Sequence, residues 1–263
     1  MSEAGTMFAD GKAYERFMGR WSQLVGAKFL DWLDPPKNLR WIDVGCGNGA
    51  FTELLISRCS PAAVAGIDPS DGQIAYASTR PGAKLAQFRV ADAQSLPFDD
   101  NSFDAASMAL VISFVPDPVK AAREMARVVK PGGMVATYMW DMPSGGQPNN
   151  AIYLALQSLG IEALRAPGFM NSAHDAMRAI WQQAGLQSVD MQVIRIPVVY
   201  SSFDDFWEIA TLPVGPTSQT VSKLSPDMRE KYQQRLREIL PIAADGRIAY
   251  EAFANAVKGR VPG

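Results

Sequence analysis

The sequence predicts an α/β fold, an open and mostly parallel sheet with helices on both faces. Three observations carry this. Short apolar stretches of strand character alternate with segments of helical spacing for five rounds. The first three of these strands run into glycines or carboxylates, at 45–49, 68 and 92, where an open sheet of this kind binds its ligands. The fourth, 103–111, is apolar enough to lie at the centre of a sheet covered on both sides. At 263 residues and 48% hydrophobic composition, the chain suits one large domain, or one domain with an elaborated cap, around a sizeable core.

Charge and cysteine content narrow the function. A formal net charge of -2 argues against binding nucleic acid through phosphate neutralisation and favours a small-molecule partner. Cys46 and Cys59 lack the spacing of a zinc site, so no metal is expected, and two thiols without a disulfide framework suit a reducing cytoplasm. The first 17 residues hold no apolar core of signal-peptide length, and no run reaches the roughly 20 apolar residues that span a bilayer. No membrane partner is expected.

The most informative stretch is 39–55. Residues 41–44, Trp-Ile-Asp-Val, read as a strand that stops at Gly45, Gly47 and Gly49, and 50–59 carries apolar residues at helical spacing. A glycine turn opening a helix leaves free N–H groups above the strand end, a place for a polar or anionic ligand group. The glycines fall as G-x-G-x-G, one residue shorter than the dinucleotide pattern G-x-G-x-x-G. Asp43 is costly to bury among its apolar neighbours without a partner. This h-D-x-G-x-G-x-G pattern resembles the first motif of class I S-adenosylmethionine (SAM)-dependent methyltransferases. The resemblance implies that Asp43, Gly45, Cys46 and Gly47 belong to a SAM site.

Upstream, residues 12–33 place aromatic and aliphatic side chains at steps of three and four, as one or two amphipathic helices ended by Pro35 and Pro36. Such a segment either packs on the sheet or closes over the pocket. Residues 14–22, YERFMGRWS, resemble a methyltransferase subgroup in which this segment caps the cofactor. By that resemblance Tyr14 and Arg20 reach the methionine end of SAM, with Arg20 pairing its carboxylate.

Downstream, the strand at 63–68 ends in Asp68, placed to accept from both hydroxyls of a ribose held at the glycine turn. SAM and NAD sites share this acid. Pro69 follows it, and then a helix over 71–79 with Asp71 in a capping role. The third strand, 85–92, leads into Asp92, Ala93 and LPFDDNSFD at 96–104. This segment resembles the family's adenine-binding stretch, which implies that Asp92 accepts from the adenine amino group while the Ala93 N–H meets a ring nitrogen; the plainer reading of Asp92 is a turn cap. Ala109, in the fourth strand, completes the candidate set. Asp117 and Pro118 open the next helix as cap and first-turn proline, and Lys130 to Gly133 stops it ahead of a fifth strand at 134–140.

The resemblance is continuous over residues 12–141 and points to the methyltransferase type 11 group. It implies a Rossmann-like open seven-stranded sheet, mostly parallel, whose sixth and seventh strands form a hairpin. The whole chain, 1–263, is then a single domain, with a cofactor-binding core at 12–141 and a helical cap with acceptor-site elements at 142–245. Within the second part, helices are expected at 150–159, 174–184 and across 203–240, and a strand at 189–200. Residues 247–257 suit helix and strand equally by their alanines, and only the resemblance favours a strand.

The implied activity is methyl transfer from SAM to a small-molecule acceptor by in-line displacement, with S-adenosylhomocysteine as product. No catalytic residue is assigned. Relatives carry a His pair where this chain has Ser113 and Phe114, and the sole histidine, His174, reads as a surface or packing residue; Asp141 and Tyr138 are alternative bases. An NAD-linked oxidoreductase would share the sheet, the turn and Asp68, but would leave Asp43 and the 91–104 segment unexplained. A non-catalytic SAM-binding module would share every cofactor residue.

Overall fold

The computed structural model describes residues 19–212 and 216–263. Helix α1, Arg20–Leu33, leads in, and it ends at Asp34 in the left-handed conformation (φ 43°), ahead of the two prolines. Then follow β1 (Arg40–Val44), α2 (Ala50–Cys59), β2 (Ala63–Asp68), α3 (Asp71–Ala77), β3 (Ala86–Val90) and β4 (Phe103–Ala109). A 3₁₀ turn at Ile112–Phe114 precedes α4 (Pro118–Val128) and β5 (Val129–Trp140). The remainder is α5 (Asn150–Ser158), a 3₁₀ turn at Phe169–Ser172, α6 (His174–Gln183), β6 (Gln187–Tyr200), α7 (Phe203–Ala210), α8 (Pro216–Ser222), α9 (Pro226–Ile239) and β7 (Ile248–Arg260).

The seven strands form one sheet in the order β3-β2-β1-β4-β5-β7-β6. Strands β1 to β5 pair in parallel, while β7 runs antiparallel to both β5 and β6. From β1 the chain steps one way, through α2 to β2, and from β4 it steps the other way, through α4 to β5. Right-handed crossovers therefore put α2 and α4 on opposite faces. Helix α1 packs beside α2, and α6 beside α4. The reversal between β1 and β4 opens a crevice at their C-terminal ends, where sheets of this kind hold ligands. The centre of the sheet is dry, with Trp41, Ile42, Ile67, Ala105, Ala106 and Val135 all buried.

Side-chain caps open α4 and α9 ahead of a first-turn proline, while at α3 the cap differs from the expected residue. Asp117 accepts from Lys120 N (2.9 Å) ahead of Pro118, and Ser225 accepts from Met228 N (3.3 Å) ahead of Pro226. At α3 the cap is Ser70, whose Oγ accepts from Gln73 N (3.4 Å), and not Asp71, which sits in the first turn where its charge suits the helix dipole. The last segment is a strand, Ile248–Arg260, which runs three residues past the expected end. Its alanines reflect packing: Ala252, Ala254 and Ala256 are buried in a strand paired on both edges. Residues 203–240 form three helices between the hairpin strands, as expected of an insertion. At the outer strand β6, Arg20 Nη2 donates to Val199 O (2.6 Å) and Lys28 Nζ to Arg195 O (2.8 Å), tying α1 to that end of the sheet.

Candidate functional site

The strand–turn–helix at 40–59 builds the floor of the site. Gly45 N and Cys46 N both donate to Ile67 O at 2.8 Å, which curls the chain over the end of β2. The three glycines take positive φ, 74°, 51° and 79° at Gly45, Gly47 and Gly49. Their reasons differ. A Cβ on Gly45 would lie 2.6 Å from a Val111 methyl, so this turn is packed closely against the segment after β4. A Cβ on Gly47 would meet nothing within 4 Å, so that residue is bare toward the cleft.

Asp43 lies beneath the turn and does not line the cleft. It is wholly buried, accepts from Thr52 Oγ1 of α2 at 2.6 Å and more weakly from Ser107 Oγ of β4 at 3.5 Å. It therefore ties β1 to the helix that the glycine turn opens. Burial pushes its carboxyl up to about 7, against the pull of the two hydroxyls, and the nearby Asp68 charge adds a small upward push. A second tie comes from Arg80, after α3. Its Nε donates to Asn48 O and its Nη1 to Glu53 Oε2, both at 2.7 Å, bracing the turn from behind.

A cleft of about 280 Å³ opens above these strand ends. Of the sequence-predicted residues, Gly45, Cys46, Gly47, Asp68, Pro69, Asp92, Ala93 and Ala109 all line it. Asp68 Oδ2 accepts from Gly47 N (3.0 Å) and Oδ1 from Ser70 N (2.9 Å). Burial raises its carboxyl above the ordinary value, opposed by these two N–H groups. The exposed Asp92 carboxylate accepts from Gln94 N at 2.8 Å, so it caps a turn and faces the cleft at once. The Cys46 thiol is raised well above its usual range by burial first, and then by the Asp43 and Asp68 charges, and stays protonated.

Three predicted residues are not among those lining the cleft, and the first is Asp43, beneath the turn. Tyr14 lies outside the described residues. Arg20 is not brought to the cleft: it is exposed, stacks 3.6 Å from the centre of the Trp21 ring and bonds to Val199 O on the outer strand. Nor do the two residues weighed as bases behave alike. Tyr138 lines the cleft, whereas Asp141 is buried outside it and accepts from Ser144 N at 3.1 Å. His174 sits at the start of α6, outside the cleft, with its Nδ1 3.0 Å from Asp175 Oδ1.

Several wall residues were missed as site residues. Phe51 and Leu54 were read only as the apolar face of α2, and the same spacing that makes that face also turns these two toward the cleft. Val111, after β4, carries no sequence signal of its own, and Phe114 was marked only as a position where an expected histidine is missing. Ser22 reaches the cleft from α1, where the sequence pointed to Arg20.

Residues 42–137 match a family model described as a methyltransferase domain. Demethylmenaquinone methyltransferase of Staphylococcus aureus (strain JH9) is 36% identical over 111 residues, covering 41% of this chain and 46% of that protein. The matched stretch thus spans less than half the length of these relatives. Among solved structures, the YcgJ protein from Bacillus subtilis superposes with a TM-score of 0.61 at 19% identity, covering 90% of this chain and 98% of that one. Phosphoethanolamine N-methyltransferase 2 from Haemonchus contortus, in complex with S-adenosyl-L-methionine, gives a TM-score of 0.56 at 21% identity, over 95% of this chain and 56% of that one. These two likenesses are of fold.

Proposed function

We propose that this chain, whose residues 42–137 are a class I SAM-dependent methyltransferase domain, transfers a methyl group from S-adenosylmethionine to a small-molecule acceptor. The observation that carries the reading is the convergence of three separate segments on one cleft: the glycine turn, Asp68, and the Asp92–Ala93 pair all line it. The residues fit the cofactor. Gly47 is bare on the cleft side, so backbone can approach a ligand closely there. Asp68 keeps further lone pairs beyond its bonds to Gly47 N and Ser70 N, enough to take two ribose hydroxyls. Asp92 and the buried Ala93 sit one strand further out, where an adenine joined to that ribose would lie.

When bound, SAM supplies an electrophilic methyl group on a positively charged sulfur. The chain's own contribution is alignment. Asp68, the Asp92–Ala93 pair and the glycine turn fix the nucleoside. The aromatic wall of Phe51 and Tyr138, 5.8 Å apart between ring centres, excludes water from the reacting end. Orientation of two reactants in this way lowers a barrier by roughly 7 kcal/mol or more. Residues 142–245 provide the acceptor side in this reading. Gly168 N donates to Ser113 O at 2.8 Å, so the 3₁₀ turn at Phe169–Ser172 is held against the Ile112–Phe114 turn whose Phe114 lines the cleft. A small-molecule acceptor is supported by the names of the demethylmenaquinone and phosphoethanolamine methyltransferases above.

The test is calorimetry with S-adenosylhomocysteine, S-adenosylmethionine and NAD, on the wild type and on Asp68→Ala. Both adenosyl ligands should bind the wild type and NAD should not. Removing a charge-assisted acceptor costs on the order of 1.5–3 kcal/mol, so Asp68→Ala should bind both ligands roughly 10- to 100-fold more weakly. Equal affinities for mutant and wild type would remove Asp68 from the ribose, and binding of NAD in place of the adenosyl ligands would overturn the cofactor. Transfer of a labelled methyl group to a panel of quinol, phenol and amine acceptors then separates an enzyme from a binding module.

A further inference from the structure

The sheet has two edges, β6 and β3, and they are finished differently. At β6, α1 supplies cations to two backbone carbonyls. At β3, one bond tells the paired side from the open side: Ala91 N donates to Asp68 O at 3.1 Å. The N–H and C=O of a residue in an extended strand point the same way, and the direction alternates along the chain. Gln87, Arg89 and Ala91 therefore face β2, while Ala86, Phe88 and Val90 turn their backbone outward. Among the described residues, nothing bonds to these outward groups.

Proteins guard such edges with proline, lysine or an inward-pointing charge, and the outward positions of β3 carry none of these. Arg89, the one charged residue of the strand, has its guanidinium engaged on its own chain, at Pro97 O (3.2 Å) and over the Phe98 ring. Leu85 and Val90, at the two ends of the strand, are 44% and 43% exposed. The Phe88 ring lies over Gly66, where a Cβ would meet it at 2.6 Å, so the strand is anchored before anything joins it.

This edge is complementary to itself. Laid antiparallel about a two-fold axis at Phe88, two copies bring Phe88 opposite Phe88 and Ala86 opposite Val90, and each of these pairs exchanges both backbone bonds. On the other face, the Gln87 amide stands opposite the Arg89 side chain. Just outside the strand, Leu85 meets Ala91, so on both faces a large exposed side chain covers a small one. The next pair outward is Lys84 with Asp92. Both are exposed, and neither has an ion-pair partner among the described residues of its own chain. No like charges stand directly opposite each other in this register. We propose that β3 is the interface between two copies of this chain, joined edge to edge as an antiparallel pair into one continuous sheet. This is independent of the cofactor reading. A contact confined to one strand and its flanks belongs with the smaller interfaces, below about 1,200 Å², so the dimer should be reversible and concentration-dependent.

The experiment is sedimentation velocity on the full chain over roughly a hundredfold range of concentration, in which monomer should pass to dimer. Ala86→Pro removes only an outward N–H, at the first residue of the strand where proline is tolerated, and should weaken the dimer about tenfold or more while the monomer melts as the wild type does. Lys84→Glu and Asp92→Lys should each weaken it by about the same factor, since each sets like charges opposite one another at both ends of the pair. An equimolar mixture of these two variants should associate as the wild type does, because every opposed pair is then of opposite sign. A chain that stays monomeric throughout overturns the proposal and leaves the edge to a different protein. A dimer that Ala86→Pro leaves intact overturns it too, by placing the interface elsewhere. So do charge variants that dissociate and fail to recover on mixing, because the antiparallel register is what opposes Lys84 to Asp92. If Ala86→Pro lowers the melting temperature of the fold, the mixing result decides.

Discussion

Replacing Asp43 by asparagine should change how the stability of this protein depends on pH, and it should do so in a direction opposite to most carboxylates. Asp43 is fully buried, and burial raises its carboxyl from 3.8 to about 7. The folded protein therefore keeps a proton that the unfolded chain releases. Its contribution is fully present below the ordinary carboxylate value, is lost as pH rises from about 4 toward 7, and levels off above that. A pKa difference of about three corresponds to about 4 kcal/mol over the whole window, of which about 2.5 kcal/mol falls between pH 5 and pH 8. Asparagine has nearly the same shape and can accept from Thr52 Oγ1 as the carboxylate does, while losing the titration. The neighbours do not confuse the comparison. The Cys46 thiol is pushed upward, away from this window, and Asp68 is present in both proteins. The assay is a pair of thermal melts at intervals from pH 5 to pH 8. Asp43→Asn should gain on the wild type as pH rises, by roughly 5–10 °C across the range for a domain of this size. A constant difference between the two proteins across the range would show that Asp43 is ionised in the folded state at every pH tested. Its burial beneath the turn would then have to be relieved by groups other than Thr52 and Ser107.

Two glycines and a histidine give sharper contrasts. Gly45→Ala combines a left-handed φ of 74° with a Cβ 2.6 Å from Val111, and should cost on the order of 2–4 kcal/mol in denaturant unfolding, whereas Gly47→Ala, with nothing within 4 Å, should cost about 1 kcal/mol for its φ alone. The order should reverse for ligand per unit of stability lost: Gly47→Ala places its methyl in the cleft and should weaken S-adenosylhomocysteine by tenfold or more, so wild-type affinity there would mean that the cofactor does not approach Gly47. His174→Ala should change kcat by less than about tenfold, because its ring is outside the cleft and paired with Asp175, and loss of a general base costs 10²- to 10⁴-fold. A loss in that larger range with an intact fold would make His174 a catalytic base.

What the sequence disclosed, it disclosed through strand ends. Asp68 and Asp92 are legible because a parallel sheet lines up the C-terminal ends of its strands, so a carboxylate ending an apolar run has one place to be. Glycine spacing likewise located a turn before any packing was known. Arg20 was misplaced for a different reason: periodicity finds a helix but not its rotation about its own axis relative to a distant strand, and the carbonyls of β6 that claim Arg20 and Lys28 lie more than 160 residues away. Arg80 was invisible on the same ground, since its bond to Asn48 O joins residues 32 apart with no pattern between them. The last strand could not be told from a helix by composition because small side chains serve both a tight helix face and a strand gripped on both edges.

The outer boundary of the sheet at β6 has its own consequence. Arg195, Pro197 and Val199 share one side of the strand, the side turned away from β7. The carbonyls of the first and third are taken by the cations of α1, and the middle one has no N–H to offer. A strand arriving from another molecule would find three successive rungs of the ladder already spoken for. Among the described residues, growth of the sheet is opposed there by side chains of α1, and removing Arg20 or Lys28 would return a docking rung to that edge.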